Sequence, residues 1–409
     1  MSEHAESEIV LVNFSGTDRP GITASLMGIL AGYDVRVLDI GQAMIQDTLA
    51  LGILIKLPDA ARSAPVLKDL LFEAHKLDLR VRFTPVSGEE YERWVVGEPR
   101  QRYVLTLLGR RVTALQIARI AGVVTAHGLN IEDIVRLSGR SALHDDDRGS
   151  RACLELTLRG EPADADAMKA EFLSISEEMD VDISFQEDNF YRRNRRLVVF
   201  DMDSTLIREE VIDELAWEAG AGEAVSRVTA AAMRGEIDFS ESLRQRVALL
   251  EGLEESVLER VAERLTLTEG AERLLKTLRT LGYRTAVISG GFDYFGRRLQ
   301  RRLRLDYVHA NRLEIVDGRL TGRVLGEIVD GERKAALLRE IAAEEGIELA
   351  QVIAVGDGAN DLPMLRVAGL GIAFHAKPLV QKSARQAIST IGLDGVLYLM
   401  GMKDAENPH

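Results

Sequence analysis

Apolar and polar positions along the first 186 residues follow one scheme written twice. IVLVNF (9–14) is strand-like and is followed by the turn GTDRPG. ITASLMGILAG then spaces its apolar residues as a helix does, with Pro20 just before the first turn. VRVLDIGQAMI and TLALGILIKL read as two strands, ARSAPVLKDLLFEAHK as a second helix, and LRVRFTPV as a closing strand. The order is βαββαβ. About 95 residues on, YVLTLLG, a helix through TALQIARIAGVVTAHG, LNIEDIVRLS, RACLELTLRG, the helix DADAMKAEFLSISEEM and VDISFQ repeat it. The repeat lies in element order and apolar pattern more than in residue identity.

From Leu197 the pattern changes. LVVF, TAVIS and VIAVG are continuous, β-branched-rich runs, as parallel strands buried on both faces require. Weaker apolar character around Leu305–His309 and the run LGIAF (370–374) supply further candidate strands. Helices such as GAERLLKTLRTLG and RKAALLREIAAEEG intervene, which predicts a doubly wound α/β domain. Residues 208–266 are helical throughout and hold no strand, so they are expected to form a cap over the sheet's carboxyl edge. GRSALHDDDRGS (139–150) reads as a solvated loop, its Asp145–Asp147 run included, and YRRNRR (191–196) as an interdomain linker. The expected domains are residues 1–97, 98–190 and 191–409.

Charge narrows the partners. Of 409 residues, 51 are Lys or Arg and 65 Asp or Glu, for a net charge of −14. Nucleic acid and anionic membranes both need a basic surface, so neither is expected as a partner. No apolar run approaches the roughly 18 residues of a membrane span. The N-terminus MSEHAESEIV is acidic where a signal peptide is basic, and a cytoplasmic location is expected. A single cysteine, Cys153, excludes an internal disulfide and fits a small buried hydrophobe in a strand.

In an open parallel sheet, ligands bind beyond the carboxyl ends of the strands. There LVVF runs into DMDST (201–205), TAVIS ends on Ser289 followed by Gly290 and Gly291, and VIAVG runs into DGAND (357–361). Lys334 opens the helix before the last of these strands. Each piece alone is a polar turn. Together, in strand context, they suit phosphoryl transfer from a monoester to an aspartate. That reaction is slow enough to need nucleophile, metal and phosphate clamp at once. A carboxylate meets a phosphate dianion only if the repulsion is neutralised, which calls for Mg²⁺ with oxygen ligands. Lys334, the Ser289 hydroxyl and the Gly290 N–H are suited to hold the phosphoryl oxygens.

DMDSTLI, Ser289-Gly290, Lys334 and GDGAND resemble the four motifs of the haloacid dehalogenase superfamily of phosphatases. The likeness extends to the phosphoserine phosphatases across roughly residues 197–400. It implies Asp201 as nucleophile and Asp203 as general acid and base. It also implies magnesium held by Asp201, the Asp203 carbonyl and Asp357, with Asn360 at the phosphate and Asp361 orienting the lysine. In the cap it implies Glu210 toward the substrate ammonium, Arg246 on its carboxylate, and Met233 and Phe239 as apolar lining. The expected activity is Mg²⁺-dependent hydrolysis of O-phospho-L-serine through an aspartyl-phosphate, the last step of serine biosynthesis. Transfer to another alcohol and phosphoprotein hydrolysis are the enzymic alternatives. An amino-acid sensor with a vestigial catalytic domain is the non-enzymic one, and the intact motifs weigh against it.

The two N-terminal units, the first with GTDRPGI, resemble ACT domains, ferredoxin-like modules that bind amino acids. Asp18 and Gly21 lie where helix N–H groups can take a carboxylate. The likeness implies L-serine as effector and a homodimer assembled through these sheets, which also covers exposed strand edges. The second unit reads GRRVTAL at the corresponding turn, without Pro-Gly, and is expected to be structural.

Overall fold

An apolar start that gives way to alternation in IVLVNFSGT makes β1 (Ile9–Thr17) a strand with one dry face: Val10, Val12 and Phe14 are buried, while Asn13 and Ser15 are exposed. It belongs to a computed structural model that describes residues 8–57, 60–96, 101–140, 150–384 and 386–404, the side chains of 60–62 excepted. Asp145–Asp147 and the domain boundary at 97/98 lie outside the described residues.

The chain divides into two compact units, residues 1–99 and 100–409. In the first, β1 is joined by β2 (Arg36–Ile45), β3 (Thr48–Lys56) and β4 (Arg80–Val86) in an antiparallel sheet of order β2-β3-β1-β4. Leu26 and Leu30 of helix Ile22–Ala31 and Val66 and Leu70 of helix Ala60–Lys76 pack against Leu49, Leu51, Ile53 and Ile55 of β3. A helix not foreseen in the sequence, Gly88–Val96, follows. Its signal was a capping box: Ser87 Oγ accepts the Glu90 N–H at 3.1 Å and Glu90 accepts the Ser87 N–H at 3.0 Å.

The second unit opens with the same topology. β5 (Arg102–Gly109), β6 (Asn130–Arg136), β7 (Ala152–Arg159) and β8 (Asp182–Glu187) form a sheet of order β6-β7-β5-β8, with helices Ala114–Ala126 and Ala165–Met179 against it. Here the alternation is lost: Tyr103 to Gly109 are all buried. Leu105 and Leu107 face the unit's own helices, whereas Leu108 and Cys153 join the core of the larger sheet. Cys153 is the buried hydrophobe expected, its thiol pushed up by burial. The basic stretch 191–196 is built into this junction and is no free linker. Arg192 is buried on Glu155 of β7, and Arg195 donates to the Ala350 carbonyl.

The larger sheet has seven strands: β9 (Leu197–Phe200), β10 (Arg284–Phe292), β11 (Tyr307–Val316), β12 (Arg319–Leu325), β13 (Val352–Gly356), β14 (Leu370–Phe374) and β15 (Gln386–Ile388). Their order is β12-β11-β10-β9-β13-β14-β15, parallel except for the antiparallel β11–β12 hairpin. β9, β13 and β14 are buried at every position, as their unbroken apolar runs require. The weak segment around 305–309 is the start of the ten-residue β11. Its hairpin turn is Asp317-Gly318, both residues at positive φ, the backbone a two-residue hairpin needs. Between β9 and β10 lie only helices, including Val211–Glu218, Gly222–Met233, Phe239–Ala248 and Ser256–Arg264. The hairpin props this cap: Gly252 N–H donates to the Leu320 carbonyl at 2.8 Å, and Leu320 N–H to that of Leu253 at 2.9 Å.

Candidate active site

β9 is the sheet's topological switch point, flanked by β10 on one side and β13 on the other. Pairing continues one residue past it, since Asp201 N–H donates to the Val355 carbonyl at 2.9 Å. This carries the Asp201 carboxylate to the carboxyl edge beside the turn that follows β13. Lys334, buried in helix Gly331–Glu344, places Nζ 2.8 Å from Asp201 Oδ1 and 2.7 Å from Asp361 Oδ1. The other Asp361 oxygen accepts the Gly358 N–H at 2.9 Å. Asp357 completes the group, its Oδ1 3.4 Å from the Thr205 hydroxyl.

One ammonium thus faces three carboxylates. Asp201, Asp357 and Asp361 bring ligand oxygens within 4.8 Å of one another, the one such grouping found among the described residues. Burial and then Asp361 push the Asp201 carboxyl up to about 7, against the pull of Lys334. Burial, then Asp201 and Asp361, push Asp357 up to about 8. Burial disfavours the Lys334 charge, but Asp201 and Asp361 outweigh it and drive its pKa up. The uncompensated negative charge and all-oxygen donor set fit a hard divalent cation. Asp361 has both oxygens engaged, which leaves Asp201 and Asp357 as the carboxylates open to one. The side chain of Asp203 is not in this cluster; the likeness had assigned only its carbonyl.

Asp203 instead faces the irregular stretch Ser289–Gly291 near the end of β10. A side chain at Gly291 would put its Cβ 2.6 Å from Asp203 Oδ2 and 3.2 Å from Ser289 Oγ, so only glycine fits between them. Burial, then Glu210 and Asp201, raise the Asp203 carboxyl well above the usual range, and Oδ1 has no hydrogen-bond partner among the described residues. Burial and neighbouring like charges both favour the protonated form of such a carboxyl. Ser289, also buried, accepts the Gly291 N–H on Oγ at 2.9 Å.

The cap closes on this floor. A Cβ at Gly290 would lie 2.6 Å from the Phe239 ring, so Phe239 sits directly on the turn. Glu210 accepts the Ser204 hydroxyl at 2.7 Å, and Ser204 adopts φ 55, a left-handed conformation uncommon for serine. Arg246, half-buried, donates from Nε to the Ser242 carbonyl at 3.3 Å. Burial works against its charge, while Asp213, Glu210 and Asp203 support it. Asn360 lies in the turn with Asp357 and Asp361, its amide folded back over Gly358. Met233 is exposed at the rim, its sulfur 3.6 Å from Lys377 Nζ on the loop after β14. Asp18 and Gly21 lie in the first unit. Gly21, at φ 96, opens helix Ile22–Ala31, and Asp18 N–H donates to the Asp47 carbonyl at 2.7 Å.

Sequence reasoning passed over Ser204, Thr205 and Asp213. The first two stood inside DMDST, and Asp213 lies three residues after Glu210, within reach of the same helix face. A cleft of about 940 Å³ between helix Phe239–Ala248, β12 and the start of helix Gly331–Glu344 opens beside the site, but none of the four aspartates lines it.

Residues 198–366 match the haloacid dehalogenase-like hydrolase family and residues 8–84 the ACT domain. Over 405 residues the chain is 42% identical to a phosphoserine phosphatase of Streptomyces coelicolor, covering 99% of this chain and 95% of that protein. Over 398 residues it is 40% identical to a phosphoserine phosphatase of Mycobacterium tuberculosis, covering 97% and 94%. A HAD family hydrolase from Salmonella enterica superposes with a TM-score of 0.62 at 31% identity, over 73% of this chain and 98% of that one. A probable phosphoserine phosphatase from Vibrio cholerae gives 0.58 at 36% identity, over 73% and 86%.

Proposed function

Since the chain belongs to the phosphoserine phosphatases, within the haloacid dehalogenase-like hydrolases and with an N-terminal ACT region, we propose that it cleaves O-phospho-L-serine through an ester on Asp201. The observation that carries this reading is the buried Lys334, ion-paired at once with Asp201 and Asp361, with the buried Asp203 carboxyl, raised well above its ordinary range, in the turn that follows Asp201.

Lys334 favours the ionised form of Asp201 against burial and Asp361, and together with the Ser289 hydroxyl it holds the phosphoryl oxygens. The Asp201 oxygen forms a bond to phosphorus as the bond from phosphorus to the serine oxygen breaks. Asp203 gives its proton to that oxygen, releasing L-serine. The same carboxylate, now ionised, takes a proton from the water that attacks the aspartyl-phosphate, and phosphate leaves with Asp201 and Asp203 restored. A divalent cation, proposed as Mg²⁺ on Asp201, Asp357 and the Asp203 carbonyl, supplies the charge that lets a carboxylate meet a phosphate dianion. Asn360 adds a phosphate donor. Glu210 and Arg246 suit the ammonium and carboxylate of the substrate, Arg246 by its bidentate fork, and Phe239 and Met233 supply apolar surface.

The regulatory reading follows the chain's halves. L-serine is proposed to bind the first unit at Asp18 and the Gly21 helix start. The long, exposed edge strand β2 is proposed to pair with its copy in a homodimer. The proposed domains are residues 1–97, 98–190 and 191–409. The decisive assay is inorganic phosphate release from O-phospho-L-serine with and without Mg²⁺: release should require the cation, and no release in either condition would refute the reading. Serine titration of wild type and Asp18→Ala checks the effector site, where identical inhibition curves would contradict it.

A further inference from the structure

The ladder between β10 and β11 breaks where the phosphate turn begins. Ile288 pairs with His309 and Phe292 with Asn311, so two steps along β11 oppose four along β10. Ser289, Gly290 and Gly291 face Ala310 alone, two residues in excess, and the Gly290 carbonyl falls outside the paired register. Asn311 binds it instead. Its side chain is 1% exposed, and Nδ2 donates to the Gly290 carbonyl at 2.8 Å.

The same amide acts a second time. Asn311 Oδ1 accepts the Val329 N–H at 2.9 Å. The next residue, Asp330, caps helix Gly331–Glu344 through the Arg333 N–H at 2.9 Å, and its carbonyl accepts the Lys334 N–H at 2.8 Å. One buried side chain thus ties the serine turn to the helix start that carries Lys334.

The consequence for Ser289 follows from peptide planarity. The Gly290 carbonyl and the Gly291 N–H belong to one trans peptide and point in opposite directions. With the carbonyl pinned by Asn311, the N–H is directed to Ser289 Oγ, which it reaches at 2.9 Å. A hydroxyl whose oxygen already accepts has its proton left to donate. We propose that Asn311 is a positioning residue for the phosphoryl group, orienting the Ser289 hydroxyl as a donor through the Gly290 peptide and fixing the Lys334 helix through Val329. This rests on the phosphatase reading above.

The test is a double-mutant cycle in the full-length protein with O-phospho-L-serine and p-nitrophenyl phosphate. Asn311→Ala should lower kcat/KM on both substrates alike, by roughly 10- to 100-fold for an oriented, buried hydrogen bond. In a Ser289→Ala background the same change should cost several-fold less than in wild type, because the hydroxyl it orients is gone and only the hold on the Lys334 helix is left to lose. Should Asn311→Ala fail to fold, Asn311→Asp keeps the shape, replaces the donor by an oxygen facing a carbonyl, and should show the same pattern. Losses that multiply independently, or an unaltered kcat/KM in a folded variant, would overturn the proposal. If the wild type cleaves only the aryl phosphate yet shows the coupling, the positioning role stands and the serine specificity fails.

Discussion

Crowding three carboxylates around one buried ammonium has a cost that depends on pH. Asp201 and Asp357 titrate at about 7 and about 8 in the folded chain, against about 3.9 for a free aspartate. Between those limits the folded state holds more protons than the unfolded, so the pair's contribution to stability is present below about pH 4 and declines as pH rises toward 8. A cation that takes the place of those protons reverses the trend. Mg²⁺ should therefore raise Tm more at pH 8 than at pH 6, as scanning calorimetry can measure, and equal shifts at both would contradict the assignment. Arg246 argues at the same scale. It is half-buried among Asp213, Glu210 and Asp203, none of which pairs with it tightly, so its fork is free for a carboxylate. Arg246→Ala should cut kcat/KM for O-phospho-L-serine roughly 10- to 100-fold, the worth of a charged hydrogen bond, and leave an aryl phosphate nearly untouched. Equal losses on both substrates would remove Arg246 from serine recognition.

Elements decide how the cap meets the floor. Gly290 lies under Phe239 with no room for a methyl group. Gly290→Ala should hold the cap off the turn and raise KM while the isolated fold keeps its Tm within a few degrees; a KM equal to wild type would show that the cap need not close there. The motif-bearing elements were legible because each is an unbroken apolar run ending in polar residues: β9 into DMDST and β13 into DGAND are visible without coordinates. The rest was hidden for identifiable reasons. β11 carries His309, Asn311 and Arg312 within its run, because it lies near the sheet's edge and shares an exposed hairpin. β15 has three residues, too few for any period, and exists through its pairing with β14 and the bonds of Gln386 to the Phe185 N–H and carbonyl. Asn311 could not be read at all, since its role depends on a bulge in a different strand.

At the scale of the molecule, one topology serves two ends. β1 keeps a wet face, whereas β5 is buried from Tyr103 onward because its second face is covered by the catalytic sheet. Polar locks accompany that junction. Asp182 accepts the N–H groups of Ser389 and Thr390 at 2.8 and 2.9 Å and the Thr390 hydroxyl at 2.6 Å, and Arg110 grips Glu269 through two bonds of 2.9 and 2.7 Å. Where the first copy reads GTDRPG, the second presents Arg110 to Glu269. Asp182→Ala strips a buried acceptor from two N–H groups and should destabilise the second unit by about 1–3 kcal/mol in urea unfolding; an unaltered midpoint would mean the junction holds without it. The account as a whole turns on the Asp201 oxygen next to Lys334. Acid-quenching the enzyme during turnover of ³²P-labelled O-phospho-L-serine, then sequencing the labelled peptide, should recover the label on Asp201 and none in Asp201→Asn. A working enzyme that never carries phosphorus there would contradict it.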